Sequence, residues 1–469
     1  METLEDALGE ISGWVWGPWF LIPLLLLTGL YLSVRLTGVQ IRKLGPALSL
    51  ALLRRKDASA DGDISHYQAL TTALAATVGV GNIAGVATAI FLGGPGAIFW
   101  MWVTGLLGMA TKYSEAFMGV RFRTKDAKGA ISGGPQYYLA RAIPNTFGKT
   151  LSILFAIFAV IASFGIGNMT QSNTVSASME GSFGVPTWVS GLVMAVLAGV
   201  VLIGGIKSIG RVTAGIVPLM IVAYVGSALV LLVLNAGAIP GAFATIFTDA
   251  FTGTSATGGF AGAAVAAAIR YGVARGIFSN ESGLGSAAIA AAAAQTRHPV
   301  RQGLVSMTQT FIDTIIVVTM TGLVIVVTDA WTTGEDGAVM TATAFDTGLA
   351  SWGHYIVTIA VVFFAFSTVL GWSYYGERCM ERLVGIKGVM PYRVIFTVVI
   401  FIGATTELTV VWGFSDIMNG LMALPNLIGL LICGGLIARE TRAYLRRDPT
   451  LRNAPEVSTL DGVDALDRR

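Results

Sequence analysis

The sequence predicts a polytopic all-α membrane protein. Hydrophobic residues fill 54% of the 469 positions and charged residues only 12%, with a mean hydropathy of +0.71. A soluble domain carries about twice that share of charge. The apolar residues also come in runs of membrane length, about eleven by the twenty-residue criterion. The basic residues between those runs keep to alternate connections, the asymmetry that a bilayer imposes on its proteins.

The runs cover 15–36, 67–91, 96–120, 150–178, 187–205, 212–236, 260–295 (interrupted), 302–328, 353–376, 394–412 and 415–438. If the N-terminus lies outside, the first inward connection carries Arg42, Lys43, Arg54, Arg55 and Lys56. Later inward connections carry Arg121, Arg123, Lys207, Arg211, Arg297, Arg301, Arg378 and Arg393, while the outward ones contain no Lys or Arg. That pattern requires an odd number of crossings, with the C-terminus inside. The polar start METLEDALGE is acidic and lacks the basic opening of a cleavable signal.

The connection 37–66 is amphipathic in parts and is expected along the inner surface. The segment 129–139, GAISGGPQYYL, is too polar to span and is expected to pack under the bundle. Residues 237–259 hold Pro240 and the mildly apolar GAFATIFTDAF, read as an external re-entrant or surface helix. The charged tail 439–469 contains Pro449 and Pro455 and reads as flexible. This divides the chain into 1–66 (external N-terminus, a first span and the inner connection), 67–236, 237–259, 260–438 and the tail 439–469.

Two of the spans are broken in the middle. In TTALAATVGVGNIAGVATAIF (71–91), Gly79, Gly81 and Asn82 interrupt the apolar run at mid-depth. In the seventh span the stretch from Arg275 to Ser286, RGIFSNESGLGS, brings glycines, two charges and an asparagine to the same depth. Small residues alone would suit close helix packing. Charged groups and helix breakers together, where lipid offers no water, require a cavity or internal partners. With the first span set aside, the broken segments head two halves of opposite orientation. Paired interruptions of this kind point to a transport site at the repeat interface.

At those breaks, N–H groups of Gly79, Gly81 and Asn82, next to Thr77, suit a carboxylate. Carbonyls around the second break, up to Gly283, suit an ammonium. Gln171 in GNMTQSN offers a mid-membrane amide, for the substrate or for a helix–helix bond, with Asn168 and Asn173 read as braces. Thr368 and Trp372 share a face of the ninth span; Ile277 and Phe278 stand beside the second break. Lys112 and Glu115 are spaced to pair; Arg275 and Glu281 could neutralise each other, partner Asp313 or form a gate; snorkelling accounts for Glu377 and Arg378.

Cys379 and Cys433 and the scattered His66, His298 and His354 form no metal or disulfide framework. There is no GxxxxGK[ST] loop for ATP and no clustered acid–base constellation, so neither an ATP-driven pump nor an enzyme is expected. No filter motif marks a channel, and no nucleic acid is expected as a partner.

Five stretches resemble the alanine or glycine:cation symporters of prokaryotes: ALAATVGVGNIAGVATAI (73–90), GGPQYYL (133–139), GNMTQSN (167–173), GVARGIFSNESGLGSA (272–287) and FAFSTVLGWSYYGE (364–377). Val80 and the pair Ser282-Gly283 depart mildly from the family pattern. The resemblance implies a LeuT-like fold of five plus five inverted helices with one extra N-terminal helix, in a prokaryotic plasma or inner membrane. It implies import of small neutral amino acids, alanine or glycine, coupled to Na⁺, with H⁺ coupling through Glu281 or Asp313 as the nearest alternative. It places the face of Thr368 and Trp372 at the substrate, Trp372 as its wall, and assigns Na⁺ to the carbonyls of Ala75 and Val78 with the hydroxyls of Ser367 and Thr368.

Overall fold

The architecture comes from a computed structural model that describes residues 2–17, 19–54, 60–252, 261–349, 352–406 and 409–451. Parts of three expected segments lie outside these residues: Arg55 and Lys56 of the first inner connection, 253–259 of the external connection, and the tail beyond 451.

Among the described residues, six helices are long and apolar enough to cross a bilayer: Thr146–Phe183, Gly205–Leu234, Pro299–Val327, Gly353–Val384, Ile386–Thr405 and Gly413–Arg447. The shorter Leu21–Arg35 and Thr187–Ile203, the charge-bearing Ala97–Arg121 and two interrupted helices occupy the remaining predicted spans. The first span is shorter than predicted. A helix Glu2–Val15 precedes it and packs along the eleventh span, and the chain turns before Leu21.

Both interruptions are present. The second span is His66–Thr77, a single 3₁₀ turn Val80–Asn82, then Ala84–Gly93. Ser65 opens it with a capping box shared with Gln68, which satisfies two orphan amides. The seventh span is Ala261–Asn280 and Ala287–Ala292. Its break therefore starts at Glu281, not at Arg275 as the sequence suggested. Arg275, Ile277 and Phe278 remain helical because each residue up to Asn280 can still find its partner one turn back, and the glycines that release the chain are Gly283 (φ +99°) and Gly285 (φ +84°). The two broken helices lie side by side, Ala84–Gly93 against Ala261–Asn280 and His66–Thr77 against Ala287–Ala292.

The second break is held by the third span, Ala97–Arg121. One carboxylate oxygen of Glu115 accepts the N–H groups of Gly283 (2.9 Å) and Gly285 (3.0 Å) and the amide of Asn426 (2.7 Å). The Lys112 ammonium lies 3.7 Å from the other oxygen and donates to the Glu281 carbonyl at 2.9 Å. Asn426 also donates to the Gly283 carbonyl at 2.8 Å and accepts from the Tyr138 hydroxyl. Lys112 and Glu115 thus pair as their spacing predicted, and together they serve the peptide groups that the break sets free.

On the basic face a short parallel pairing joins Ile64–Ser65, ahead of the second span, to Ala294–Gln295, behind the seventh. Arg123 fastens this junction. Its guanidinium donates to the carbonyls of Ala292 (2.9 Å), Ala294 (2.7 Å) and Asp61 (2.9 Å). Burial lowers its pKa to about 10 while Asp61 and Asp63 raise it, so it stays charged at neutral pH. Glu377 and Arg378 do not snorkel. They are buried in an ion-pair network with Asp126, Glu381 and Arg393 at 2.7–3.2 Å. The polar segment packs under the bundle as a helix, Pro135–Ala142, against the fourth span. On the opposite face, the helix Ile239–Thr252 packs on the third span, and a further helix, Gly337–Leu349, leans on the outer arm of the second.

Two outcomes test this frame. Replacing Glu115 by Ala leaves the buried amides of Gly283 and Gly285 without their acceptor and the Lys112 ammonium without its counter-charge, a loss of about 3–5 kcal/mol. The thermal midpoint in detergent should fall well below that of Glu115→Gln, which keeps an acceptor oxygen. Arg123→Gln removes charge-assisted bonds worth about 1.5–3 kcal/mol each. Hydrogen exchange at the amides of Asp63 and Ile64, which bond the Ala293 carbonyl, should then quicken by about tenfold or more.

Candidate functional site

The first break is shaped by its own asparagine. Asn82 takes the Gly79 N–H on its side-chain oxygen (2.9 Å), and its own amide N–H closes the turn on the Gly79 carbonyl (3.1 Å). Two of the three N–H groups expected to be free are therefore used within the turn. Val80 N–H meets Gln171 Oε1 at a long 3.4 Å, and no described residue accepts from Gly81. Asn82 Nδ2 donates to Asp313 Oδ1 at 2.8 Å, Thr321 caps the Asn82 carbonyl at 2.8 Å, and Thr341 reaches the Ile83 carbonyl at 3.2 Å.

Thr77 ends the inner arm. Its hydroxyl bonds back to Ala73 and accepts from Gln309 Nε2 at 2.8 Å, so it braces the break. The same Gln309 nitrogen donates to the Asn280 carbonyl at 3.2 Å. One buried amide thus links the ends of the two broken helices.

Oxygens gather just before the first break. The hydroxyls of Ser367 and Thr368 lie 3.3 and 3.1 Å from the Ala75 carbonyl, and 2.9 and 3.0 Å from the Phe364 carbonyl of their own helix. The chain leaves the helical path at Val78 (ψ 86°), and Asn82 N–H bonds Gly79, so the Val78 carbonyl is released from helical bonding. The Phe364 carbonyl, which accepts both hydroxyls, is a member of this cluster that sequence reading missed; its position one turn before Thr368 was the available signal. These oxygens are neutral and backbone-rich, a set that fits a hard cation such as Na⁺.

Gln171 follows a π-helical turn, Gly165–Met169, inside the fourth span. Its Nε2 donates to the Ile166 carbonyl at 3.0 Å, which leaves Oε1 facing the break. A Cβ on Gly79 would run into the Thr368 hydroxyl and come within 3.4 Å of Gln171 Oε1. Gly79 therefore sits where the first break, the fourth span and the ninth converge. Asn168 and Asn173 are braces, bonding the carbonyls of Phe396 (2.7 Å) and of Gly403 and Thr406.

Trp372 is buried against Gly167 of the π turn, and its indole hydrogen-bonds the Glu281 carboxylate, which also accepts from Ser286 at 2.6 Å. Ile277 is buried on the last turn before the second break. Phe278 faces Gly81, whose added Cβ would stand 3.0 Å from the ring. Gly283 is not part of this group. Its N–H and carbonyl are taken by Glu115 and Asn426, and a Cβ there would strike Leu25 of the first span.

The carbonyls of the second break are also largely spent, on Gln309, Lys112 and Asn426. That of Ser279 loses its helical partner, because Gly283 gives its N–H to Glu115.

Arg275 pairs with Asp416 of the eleventh span at 4.0 Å and lies over the Phe278 ring at 5.6 Å, so it meets neither Glu281 nor Asp313. Asp313 is fully buried and accepts from Asn82, Ser279 (2.9 Å) and Thr314 (2.8 Å). It stands on a second π-helical stretch, Phe311–Val318. A cavity of about 430 Å³ runs past Asp336, Ser178 and Arg275 and ends on Val80, Gly81 and Phe278. Gly79, Gln171, Thr368 and Trp372 are not part of its lining.

Comparison with known proteins agrees with this arrangement. MhsT, whose crystal structure is of its complex with L-phenylalanine, superposes with a TM-score of 0.54 over 82% of this chain and 99% of its own, at 14% identity. A manganese transporter of Eremococcus coleocola gives 0.50 over 85% and 92%, at 12% identity. These likenesses show a shared LeuT-like fold.

Sequence relatives are nearer. The sodium/alanine symporter AgcS of Methanococcus maripaludis is 53% identical over 94% of this chain and 97% of its own. The probable sodium/glutamine symporter GlnT of Bacillus subtilis is 36% identical over 95% and 92%. Residues 1–458 match the profile of the sodium:alanine symporter family. With two broken helices meeting at an oxygen-lined centre and that match over nearly its whole length, the chain belongs to the sodium:alanine symporter family.

Proposed function

We propose that the chain is a secondary active symporter that imports a small neutral amino acid, alanine or glycine, together with Na⁺. The observation that carries this reading is the convergence at Gly79: peptide groups of the first break, the Gln171 amide and the Thr368 hydroxyl share one point. The Na⁺ ligands are the carbonyls of Ala75 and Val78 and the hydroxyls of Ser367 and Thr368. Each hydroxyl has Phe364 as an alternative acceptor, so it can turn a lone pair toward the ion without leaving its proton unbonded.

The substrate carboxylate lies on the N–H groups of Val80 and Gly81, with the Gln171 amide turning so that Nε2 donates to it in place of Oε1. The ammonium goes to the carbonyl of Ser279. Neutral amides and carbonyls suffice, because the two substrate charges are each met by converging dipoles. Trp372, Ile277 and Phe278 enclose the side chain. Coupling follows from geometry, since Thr368 touches both the ion's shell and Gly79, and each ligand orders groups that the other uses.

The cavity above Phe278 is the route from outside, on the side of the N-terminus. Phe278 and the Arg275–Asp416 pair form its gate, while the Arg123 junction seals the cytoplasmic side. That a relative carries the name of a probable sodium/glutamine symporter supports a reading in which the walls set the range.

Proteoliposomes should accumulate alanine under an inward Na⁺ gradient and not when K⁺ replaces Na⁺. Accumulation driven by a pH gradient without Na⁺ would transfer coupling to a proton, with Asp313 as carrier. Thr368→Ala removes one ion ligand and should raise the Na⁺ concentration for half-maximal uptake by about tenfold, for a lost interaction of about 1.5 kcal/mol, with expression unchanged. Gly79→Val should abolish alanine binding, measured by calorimetry in Na⁺, while the protein still inserts. Normal affinity in that variant would remove Gly79 from the site.

A further inference from the structure

A basic pocket lies far from the transport site, where the end of the first span meets the end of the eleventh. It encloses about 320 Å³ between Arg42 and Lys43 on one side and Arg442 and Arg446 on the other, over an apolar floor that includes Leu36 and Leu445. Three other basic residues on this face are matched: Arg121 with Glu440, Arg378 with three carboxylates, Arg393 with Glu377. These four are not. Among the described residues no carboxylate lies within ion-pair distance of any of them. Their polar contacts are the Thr37 hydroxyl and carbonyl for Arg42, the Pro449 carbonyl for Lys43 and the Ala438 carbonyl for Arg442.

Four like charges around one hollow repel one another unless an anion sits among them. The surface beside the pocket is apolar. Val34, one turn before Thr37, is 69% exposed, and Ile41, next to Arg42, is 73% exposed. Both belong to the stretch where the first span leaves the bilayer. A charged hollow bordered by lipid-facing apolar side chains matches an amphiphile with an anionic head.

We propose that this pocket binds an anionic phospholipid, its phosphate among Arg42, Lys43, Arg442 and Arg446 and its acyl chains along Val34 and Ile41. Basic pockets between spanning helices at the cytoplasmic interface are known holders of such headgroups. The lipid would tie the extra N-terminal helix to the eleventh span, which supplies Asn426 to the second break.

The test is binding of phosphatidylglycerol to the full chain in neutral detergent, followed by native mass spectrometry. The double variant Arg42→Gln/Arg446→Gln should bind it about tenfold to thirtyfold more weakly, at about 1 kcal/mol per basic residue near the surface. Lys207→Gln/Arg211→Gln, an equal loss of charge elsewhere on the same face, should bind it as the unaltered chain does. Equal loss in both double variants would mean general surface attraction and overturn the proposal. So would equal affinity for phosphatidylcholine, or displacement of the lipid by inorganic phosphate at matched concentration. Retained alanine uptake in the variants would show that they are folded.

Discussion

Peptide groups freed inside a membrane have nowhere to go but other parts of the protein, and that constraint organises this molecule. A helix that stops at mid-depth exposes N–H and C=O groups that lipid cannot satisfy. The chain stops two helices there, side by side, and supplies partners from remote segments: Glu115 and Lys112 from the third span, Gln171 from the fourth, Gln309 and Thr321 from the eighth, Asn426 from the eleventh. Removing one would leave a buried group unpaired, which costs more than the bond itself contributes.

The two breaks are not used alike. The second is held rigidly, since one carboxylate oxygen takes three donors and an ammonium fixes the Glu281 carbonyl. The first is held loosely on the side that faces Gln171, where the Val80 contact is 3.4 Å and no described residue accepts from Gly81. A rigid shelf opposite an unsatisfied turn is a sensible arrangement for reversible binding: the shelf sets position, and the turn has bonds left to give. The same contrast separates the two faces of the protein. One side has an open cavity down to Phe278, and the other has Arg123 bonded to three carbonyls across the junction. Movement that opens the second face must break those bonds together.

Much of this could be read from composition and spacing, but not its exact placement. The break at Gly79–Asn82 was legible because glycine and asparagine in an apolar run are a local signal. The second break fell about six residues late because helix ends depend on caps, and the carbonyls at this end are taken by Gln309 and by Lys112, the latter some 169 positions away. Gly283 looked like a site glycine by its neighbours, yet its peptide groups had been claimed from elsewhere. Glu377 and Arg378 looked like an interfacial pair, and only packing revealed Asp126 and Arg393 around them. The π turns that aim Gln171 and Asp313 left no pattern that hydropathy could detect.

By itself the sequence determined that the chain crosses a bilayer many times, which connections carry the basic residues, and that two of its helices are interrupted. Those properties follow from transfer free energies and from the backbone habits of glycine and asparagine, which act over a few residues. Only the tertiary structure decided which freed groups stay available. A hydrogen bond between segments hundreds of residues apart is chosen by how helices pack, and no local run of residues contains that choice.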